Sequence, residues 1–86
     1  MFIKNLLYME ISIVEIEEQL FLYKFGSRLR EIRLAKSLSQ EMLANDANIP
    51  INQIGRIERA EISTSLTTII KIAKALDIEV KALFDF

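Results

Sequence analysis

The chain has 86 residues and a formal net charge of −1; 51% of its residues are apolar and 27% are charged. A chain this short is expected to form one small domain and leaves no room for a two-domain enzyme. It contains neither Cys nor His, which excludes disulfides, Cys or His metal sites, and catalysis by a His base or Cys nucleophile. We therefore expect no catalytic residues, no metal and no cofactor. The presence of only two Gly and one Pro favours helices.

Charge is distributed unevenly along the chain. Residues 1–23 carry a net charge of −3, residues 24–60 a net charge of +3, and residues 61–86 a net charge of −1. A basic middle between acidic ends is compatible with a local phosphate-binding surface on a protein that is nearly neutral as a whole. Charged runs also occur on ordinary solvated faces, so the pattern alone does not identify a ligand.

The first 24 residues allow two interpretations. Apolar and polar residues alternate as in a β-strand at Met9, Glu10, Ile11, Ser12 and Ile13, whereas helical steps of three or four residues join Ile13, Ile16, Leu20 and Tyr23. We expect a strand or loose segment and then a helix from about Val14, which runs into or up to the next helix with Gly26 as a weak point. Apolar stretches are too short for an export signal or a membrane span, so we expect a cytoplasmic protein.

Five helices are predicted within residues 25–86, and the first three follow one another closely. The first has the amphipathic stripe Phe25, Leu29, Ile32 and Ala35. Ser39 is a suitable N-cap for a second helix from Gln40 to Asp46, whose inner face is Leu43, Ala44 and Ala47. A third helix opens at Pro50, because proline fits only near the start of a helix.

The third helix has two different faces, and two further helices follow it. At 100° per residue, Ile54, Ile57 and Glu58 cluster on one side, while Asn52, Arg56 and Arg59 cluster on the other. A fourth helix is predicted after Ser63-Thr64-Ser65, with helical spacing at Leu66, Ile69, Ile70, Ala73 and Leu76. A short fifth helix over residues 80–84 contributes Val80, Leu83 and Phe84.

Two short helices joined by a tight turn, the second with exposed Asn, Gln and Arg, are typical of the helix-turn-helix. The chain resembles the DNA-binding domain of the phage repressor and Cro family, the Xre-type regulators, through LREIRLAKSLSQEMLANDANIPINQIGRIERAE and the following SLTTIIKIAKALDIEVKALF. The resemblance covers residues 25–86, with the helix-turn-helix at residues 40–59. It implies an all-α, repressor-like domain whose second motif helix enters the major groove.

The resemblance also implies particular contacts with double-stranded DNA. The recognition helix is residues 51–59, and its base-edge readers are Ile51, Asn52, Gln53 and Arg56. Asn or Gln can hydrogen-bond adenine and Arg can bind guanine, while Ile can contact only a thymine methyl group. Phosphate contacts are implied for Gln40, Arg59, Ser63 and Thr64.

Arg33 and Glu58 are assigned to structure rather than to DNA recognition, since the family pairs these positions as a partly buried ion pair. The sequence departs from the family where glycine is usual, at Asn48, Ala60 and Asp77. Asn and Asp adopt left-handed conformations at modest cost, but Ala does so less easily. We therefore expect the loop after Arg59, which holds Ser63 and Thr64, to differ from that of the relatives.

Residues 25–86 make up a complete domain of this kind, so the apolar residues from Phe2 to Leu22 need another surface to cover. We expect residues 1–24 to form a dimerisation segment of a homodimer; the alternative is packing on the same domain. The first functional hypothesis is a homodimeric transcriptional regulator that binds specific DNA sites at the nucleoid. The second is a protein-interaction module or antitoxin-like protein with the same fold and weak DNA binding. We expect no enzyme, because no nucleophile is paired with a base.

Overall fold

Residues 2–86 fold into four α-helices and a final short 3-10 helix. The computed structural model describes residues 2–86, with side chains described from Ser12 onwards. The helices are α1 (Phe2–Ala35), α2 (Gln40–Ala47), α3 (Ile51–Glu58) and α4 (Leu66–Leu76), and the 3-10 helix is Val80–Phe84. The prediction of an all-helical fold is confirmed for this part of the chain.

Helix α1 is one continuous element, so the helix predicted from about Val14 runs into the next predicted helix rather than stopping before it. It runs from Phe2 through Gly26 to Ala35, so the predicted strand or loose segment before Val14 and the weak point at Gly26 are wrong. Gly26 is buried, and a Cβ atom at this position would lie 2.5 Å from the carbonyl oxygen of Ile57 and 2.6 Å from that of Glu58. The glycine therefore allows α3 to approach α1 closely, without interrupting α1. The side chains of residues 1–11 lie outside the described residues, and with them that part of the predicted dimerisation segment.

The predicted fifth helix is a 3-10 helix, so the described chain has four α-helices rather than five. Its Ala82 N–H donates to the carbonyl of Glu79 at 3.0 Å, an i→i+3 bond, and Glu79 makes no side-chain cap. A segment of five residues can close only about one α-helical turn, and pieces this short commonly take the tighter 3-10 geometry.

The other helix ends follow local signals in the sequence. Ser39 Oγ accepts the N–H of Met42 at 3.0 Å, and Ser65 Oγ accepts the N–H of Thr68 at 3.1 Å, so each serine caps the helix that follows it. Asn48 and Asp77 both adopt φ 56° in the left-handed region at the ends of α2 and α4. Asn48 and Asp77 therefore take the left-handed position that ends a helix, which glycine occupies more often.

The core lies between the second half of α1 and the three following helices. Its largest fully buried side chains are Leu29, Leu43, Ile54, Ile72, Leu76 and Leu83. Helix α4 turns Ile69, Ile72, Ala73 and Leu76 inward, which leaves Leu66 and Ile70 on its outer side, 75% and 46% exposed. Val80 and Phe84, expected to pack inside, are each about one-third exposed.

The first half of α1 projects from this core. At ~1.5 Å per residue a helix of this length spans roughly 50 Å, which matches the longest dimension of the molecule, 53 Å against 23 and 20 Å. None of the helices in residues 2–86 combines the length and the apolar composition that a membrane crossing requires.

Candidate nucleic-acid interface

The site is built on α2 and α3, which pack against each other across a three-residue turn. Asn48 takes the left-handed conformation, and the next residue, Ile49, donates its N–H to the carbonyl of Ala44 at 3.0 Å. Pro50 stands immediately before α3, where its missing N–H costs no helical bond. The turn therefore fixes the direction in which α3 leaves α2.

Helix α3 divides into a buried face and an exposed polar face. Ile54 and Ile57 are fully or almost fully buried in the core. On the other side Asn52 and Arg56 are exposed, Gln53 is half-buried, and Ile51 at the start of the helix is 55% exposed. The four residues that the sequence singled out as base readers thus lie on the first two turns of one surface helix, and the side chains of Asn52 and Arg56 are exposed.

Arg33 and Glu58 form a buried, bidentate ion pair between α1 and α3. Arg33 Nε donates to Glu58 Oε2 at 2.6 Å and Nη2 donates to Oε1 at 2.9 Å, while Nη1 donates to the carbonyl of Leu38 at 2.9 Å. The side chains are only 8% and 2% exposed. The hydrogen bond to Glu58 raises the pKa of Arg33 above its ordinary value, so the guanidinium stays charged.

Gln40 and Arg59 come together over Gly55 at the edge of this face. Gln40 Nε2 donates to Glu58 Oε1 at 3.1 Å, which ties the first residue of α2 to the end of α3. A Cβ atom on Gly55 would lie 2.8 Å from Arg59 Nη1 and 3.0 Å from Gln40 Oε1. Both residues are predicted phosphate contacts, and the missing side chain at residue 55 is what lets them approach.

Arg59 is engaged by a carboxylate in the free protein. Its Nε donates to Glu61, and both side chains are about half exposed. The hydrogen bond from Arg59 lowers the pKa of Glu61, and the same bond raises the pKa of Arg59. A DNA phosphate that reached Arg59 would therefore compete with Glu61 for the guanidinium.

The loop after α3 holds the two remaining predicted phosphate contacts. Ala60 adopts φ 58°, a conformation that an L-residue with a Cβ reaches at some cost. Ser63 is exposed, whereas Thr64 is half-buried, and its Oγ1 has no hydrogen-bond partner among the described residues. The loop brings Ser63 to the surface, but it leaves the Thr64 hydroxyl enclosed.

Two residues of the site were missed from the sequence. Gly55 lies inside the short helix α3, where no turn requires a glycine, and this is a readable sign that other side chains pack closely against it. Glu61 lies two residues after Arg59, in a loop where the spacing alone does not indicate a contact. Both act on the position of Arg59 rather than on the buried core.

The arrangement offers hydrogen-bond donors and positive charge rather than reactive groups. Within the part of the chain that the structure describes, no three His, Cys, Asp or Glu side chains gather where they could hold a metal ion. The guanidinium groups of Arg56 and Arg59 and the amides of Gln40 and Asn52 are the types of group that bind phosphate oxygens and base edges.

Comparison with known proteins gives consistent matches. Residues 29–83 match the family described as Helix-turn-helix, HTH_3. The control protein C.BamHI of Bacillus amyloliquefaciens is 46% identical over 63 residues, which are 72% of this chain and 78% of the relative. The immunity repressor protein of Bacillus phage phi105 is 38% identical over 58 residues, which are 67% of this chain but only 40% of that protein. The crystal structure of the restriction-modification controller protein C.AhdI from Aeromonas hydrophila superposes with a TM-score of 0.72 at 51% identity, covering 73% of this chain and 96% of that one.

Proposed function

This chain belongs to the helix-turn-helix family HTH_3, a family of DNA-binding transcription regulators, and we propose that it acts as a homodimer that binds specific double-stranded DNA sites. In this proposal α3 enters the major groove, with Asn52, Gln53 and Arg56 at the base edges and Ile51 against a thymine methyl group. Gln40 and Arg59 bind phosphates beside the groove, and Ser63 approaches the DNA backbone from the following loop. The Thr64 hydroxyl is enclosed in the free protein, so its phosphate contact requires this loop to open on DNA.

The observation that carries the proposal is the two-sided character of α3. Its apolar side is anchored by Ile54 and Ile57 in the core, so the helix is held rigidly with Asn52 and Arg56 turned to solvent. Readers of base edges must be placed accurately, and side chains on a fixed helix meet this need better than those on a loop. Two such helices in a dimer are expected to lie about 34 Å apart, one turn of DNA.

The relatives suggest which genes the protein controls. Two of them are named as control or restriction-modification controller proteins, and we propose that this chain likewise regulates the genes of a restriction-modification system. Regulation of this kind takes place in the cytoplasm, at the nucleoid. The DNA site selected by the protein is then expected upstream of such genes.

The test is selection of bound duplexes from a random pool, followed by mobility shifts with the selected site and with a scrambled one at two salt concentrations. We expect a preference for the selected site of at least about 1000-fold. Arg56→Ala should reduce that preference. Lys81→Ala is the control, because it removes the same charge from the 3-10 helix, which packs on α1 and α4. This variant should keep the preference for the selected site.

The same experiment decides between the two functional hypotheses. An intact, folded chain that enriches no sequence and shows no shift at low salt would contradict DNA recognition and favour the protein-interaction module. Association with all duplexes alike would contradict the assignment of α3 as a reader of bases.

A further inference from the structure

An apolar stripe runs along the side of α1 that faces away from the domain. Ile13, Ile16, Leu20 and Tyr23 are 53%, 65%, 49% and 61% exposed. Their spacing of three, four and three residues is that of the a and d positions of a heptad repeat, with Ile13 and Leu20 at a, and Ile16 and Tyr23 at d. These four residues, called the arm stripe below, form a continuous apolar line.

The aromatic contacts of α1 with its own domain lie on the opposite side of the helix, and one polar contact, from Gln19, lies beside the stripe, about 40° around the helix from Tyr23. The Phe21 ring lies 6.1 Å from that of Phe84, the Phe25 ring lies 4.9 Å from it, and Gln19 Nε2 donates to the carbonyl of Ala60 at 3.1 Å. At 100° per residue, Phe25 lies about 140° around the helix from Leu20. The domain is therefore attached to one side of α1 and leaves the arm stripe uncovered.

The repeat continues in the sequence towards the N-terminus. Counting back in the same steps from Ile13 gives Met9, Leu6 and Phe2, all apolar and all within the bounds of α1. Seven successive a and d positions are thus apolar from residue 2 to residue 23. The next two positions are Ser27 and Arg30, so the repeat stops where the packed domain begins.

We propose that the arm stripe pairs with the arm stripe of a second copy of this chain, forming a parallel, in-register two-stranded coiled coil over residues 2–23. The inference deepens the proposed function, since it names the interface of the proposed homodimer. A repeat of 3.5 residues is matched best by another helix with the same repeat, because each apolar side chain then fills a gap in the facing stripe.

The charges beside the stripe fit a parallel pair. In such a pair each g position faces the following e position of the other helix. Those neighbours are Ser12 with Glu17 and Gln19 with Lys24, so no like charges meet. Glu15 and Glu18 lie away from the stripe, where they remain in solvent on the paired helices.

Sedimentation of the full chain without DNA tests the pairing. We expect a dimer, and Ile13→Asp should weaken dimerisation by at least about tenfold, because it places a carboxylate in the apolar seam. Val14→Asp is the matched control: the neighbouring residue is 51% exposed, close to the 53% of Ile13, but lies off the stripe. A monomeric intact chain, or an Ile13→Asp protein as dimeric as Val14→Asp, would overturn the proposal. In the second case the exposed Leu66 and Ile70 on α4 become the candidate interface.

Disulfide trapping tests the direction and register. The chain has no Cys, so Ile16→Cys introduces a single thiol at a d position. In a parallel, in-register pair the two sulfurs face each other across the seam, and oxidation should give a covalent dimer. Val14→Cys should give little covalent dimer, because residue 14 lies off the arm stripe. Equal crosslinking of both variants, or none for Ile16→Cys, would contradict the parallel arrangement. Neither readout involves DNA, so failure of the coiled coil is distinguishable from failure of DNA binding.

Discussion

The ion pair of Arg33 and Glu58 is the residue-scale feature that joins the parts of the site. It links α1 to α3, it also binds the carbonyl of Leu38 between α1 and α2, and Glu58 holds the amide of Gln40. Burial of two charges is tolerated because the geometry is bidentate and each guanidinium nitrogen and each carboxylate oxygen has a hydrogen-bond partner. The side chain that positions Gln40 is thus itself fixed by the core.

Arg33→Ala should lower the free energy of unfolding by about 3–5 kcal/mol, because it leaves the Glu58 carboxylate buried without its partner. The matched control is Arg30→Ala, an exposed arginine on the same helix, which should change stability by less than ~0.5 kcal/mol. Denaturant unfolding of the single and double mutants with Glu58→Ala gives the coupling energy. A loss below about 1 kcal/mol, or additive single mutants, would contradict the role of the pair.

Arg56 and Arg59 should respond differently to mutation, although both are exposed arginines at the end of α3. Arg56→Ala is expected to cost about 1–3 kcal/mol at the preferred site and to relax discrimination at one base pair. Arg59→Ala should weaken binding to all duplexes alike and reduce the salt slope by about 0.9 for each phosphate that the variant no longer neutralises. Titrations with cognate and scrambled duplexes over a range of salt measure both. Equal, sequence-independent losses would show that Arg56 does not read a base.

Glu61→Gln should strengthen binding to specific and scrambled DNA, by roughly two- to fivefold, because it releases Arg59 and removes a negative charge beside the phosphates. The bond from Arg59 lowers the pKa of Glu61, so the carboxyl stays ionised as the pH falls to about 5. The advantage of the variant should therefore persist from pH 8 to that point and shrink only at lower pH. Glu79→Gln, on a carboxylate that pairs with Lys81 next to the 3-10 helix, is the control that should leave affinity unchanged.

At the scale of the elements, substitutions of the two glycines should affect different properties. Replacing Gly26 should lower stability, whereas replacing Gly55 should weaken DNA binding. Gly26→Ala would bring a Cβ atom against two backbone carbonyls of α3, and it should cost about 1–3 kcal/mol despite the better helix propensity of alanine. Gly55→Ala meets only the ends of the Gln40 and Arg59 side chains, which can move. It should leave stability unchanged or raise it by up to ~1 kcal/mol while weakening DNA binding. Thermal melts and mobility shifts of the two variants measure stability and DNA binding. Equal melting temperatures of the two variants would contradict this prediction.

Elements whose ends carry their own chemical signals were predictable from the sequence. Ser39 and Ser65 start α2 and α4, and Asn48 and Asp77 end them, because each interaction lies within one helical turn of the residue that makes it. Helix α1 was not predicted in full, since alternation around Ile11 favours a strand and Gly26 favours a break. The close approach of α3 that requires Gly26 involves residues more than thirty positions away in the sequence.

At the scale of the whole molecule, net charge is a poor guide to the ligand. The total is −1, but the acidic excess lies in residues 1–23 and the basic excess in residues 24–60. Glu15, Glu17 and Glu18 are exposed on the projecting part of α1, whereas Arg56 and Arg59 lie on the face of α3. Local potential rather than total charge governs an encounter with DNA.

Two truncations should distinguish the part of α1 that carries dimerisation from the part that stabilises the domain. Removal of residues 1–17 keeps Gln19 on the carbonyl of Ala60 and Phe21 against Phe84 and Phe86, and it should give a folded monomer. Removal of residues 1–22 also deletes these contacts and should lower the free energy of unfolding of that monomer by a further ~1–3 kcal/mol. Sedimentation and denaturant unfolding of both monomers measure the difference. Equal stability would show that Gln19 and Phe21 contribute nothing to the domain.

Local sequence was sufficient to specify the helical class, the family resemblance, the positions of α2 and α3, and the polar face of α3. These features depend on periodicity, helix caps and turn residues, which act over a few neighbouring positions. Tertiary packing was needed to specify that α1 is continuous, that Leu66 and Ile70 are outside while Ile72 is inside, and that Gln40 and Arg59 converge over Gly55. These features depend on how helices distant in sequence pack. Several inward orientations of one amphipathic helix satisfy its own pattern, and contact with the other helices selects one of them.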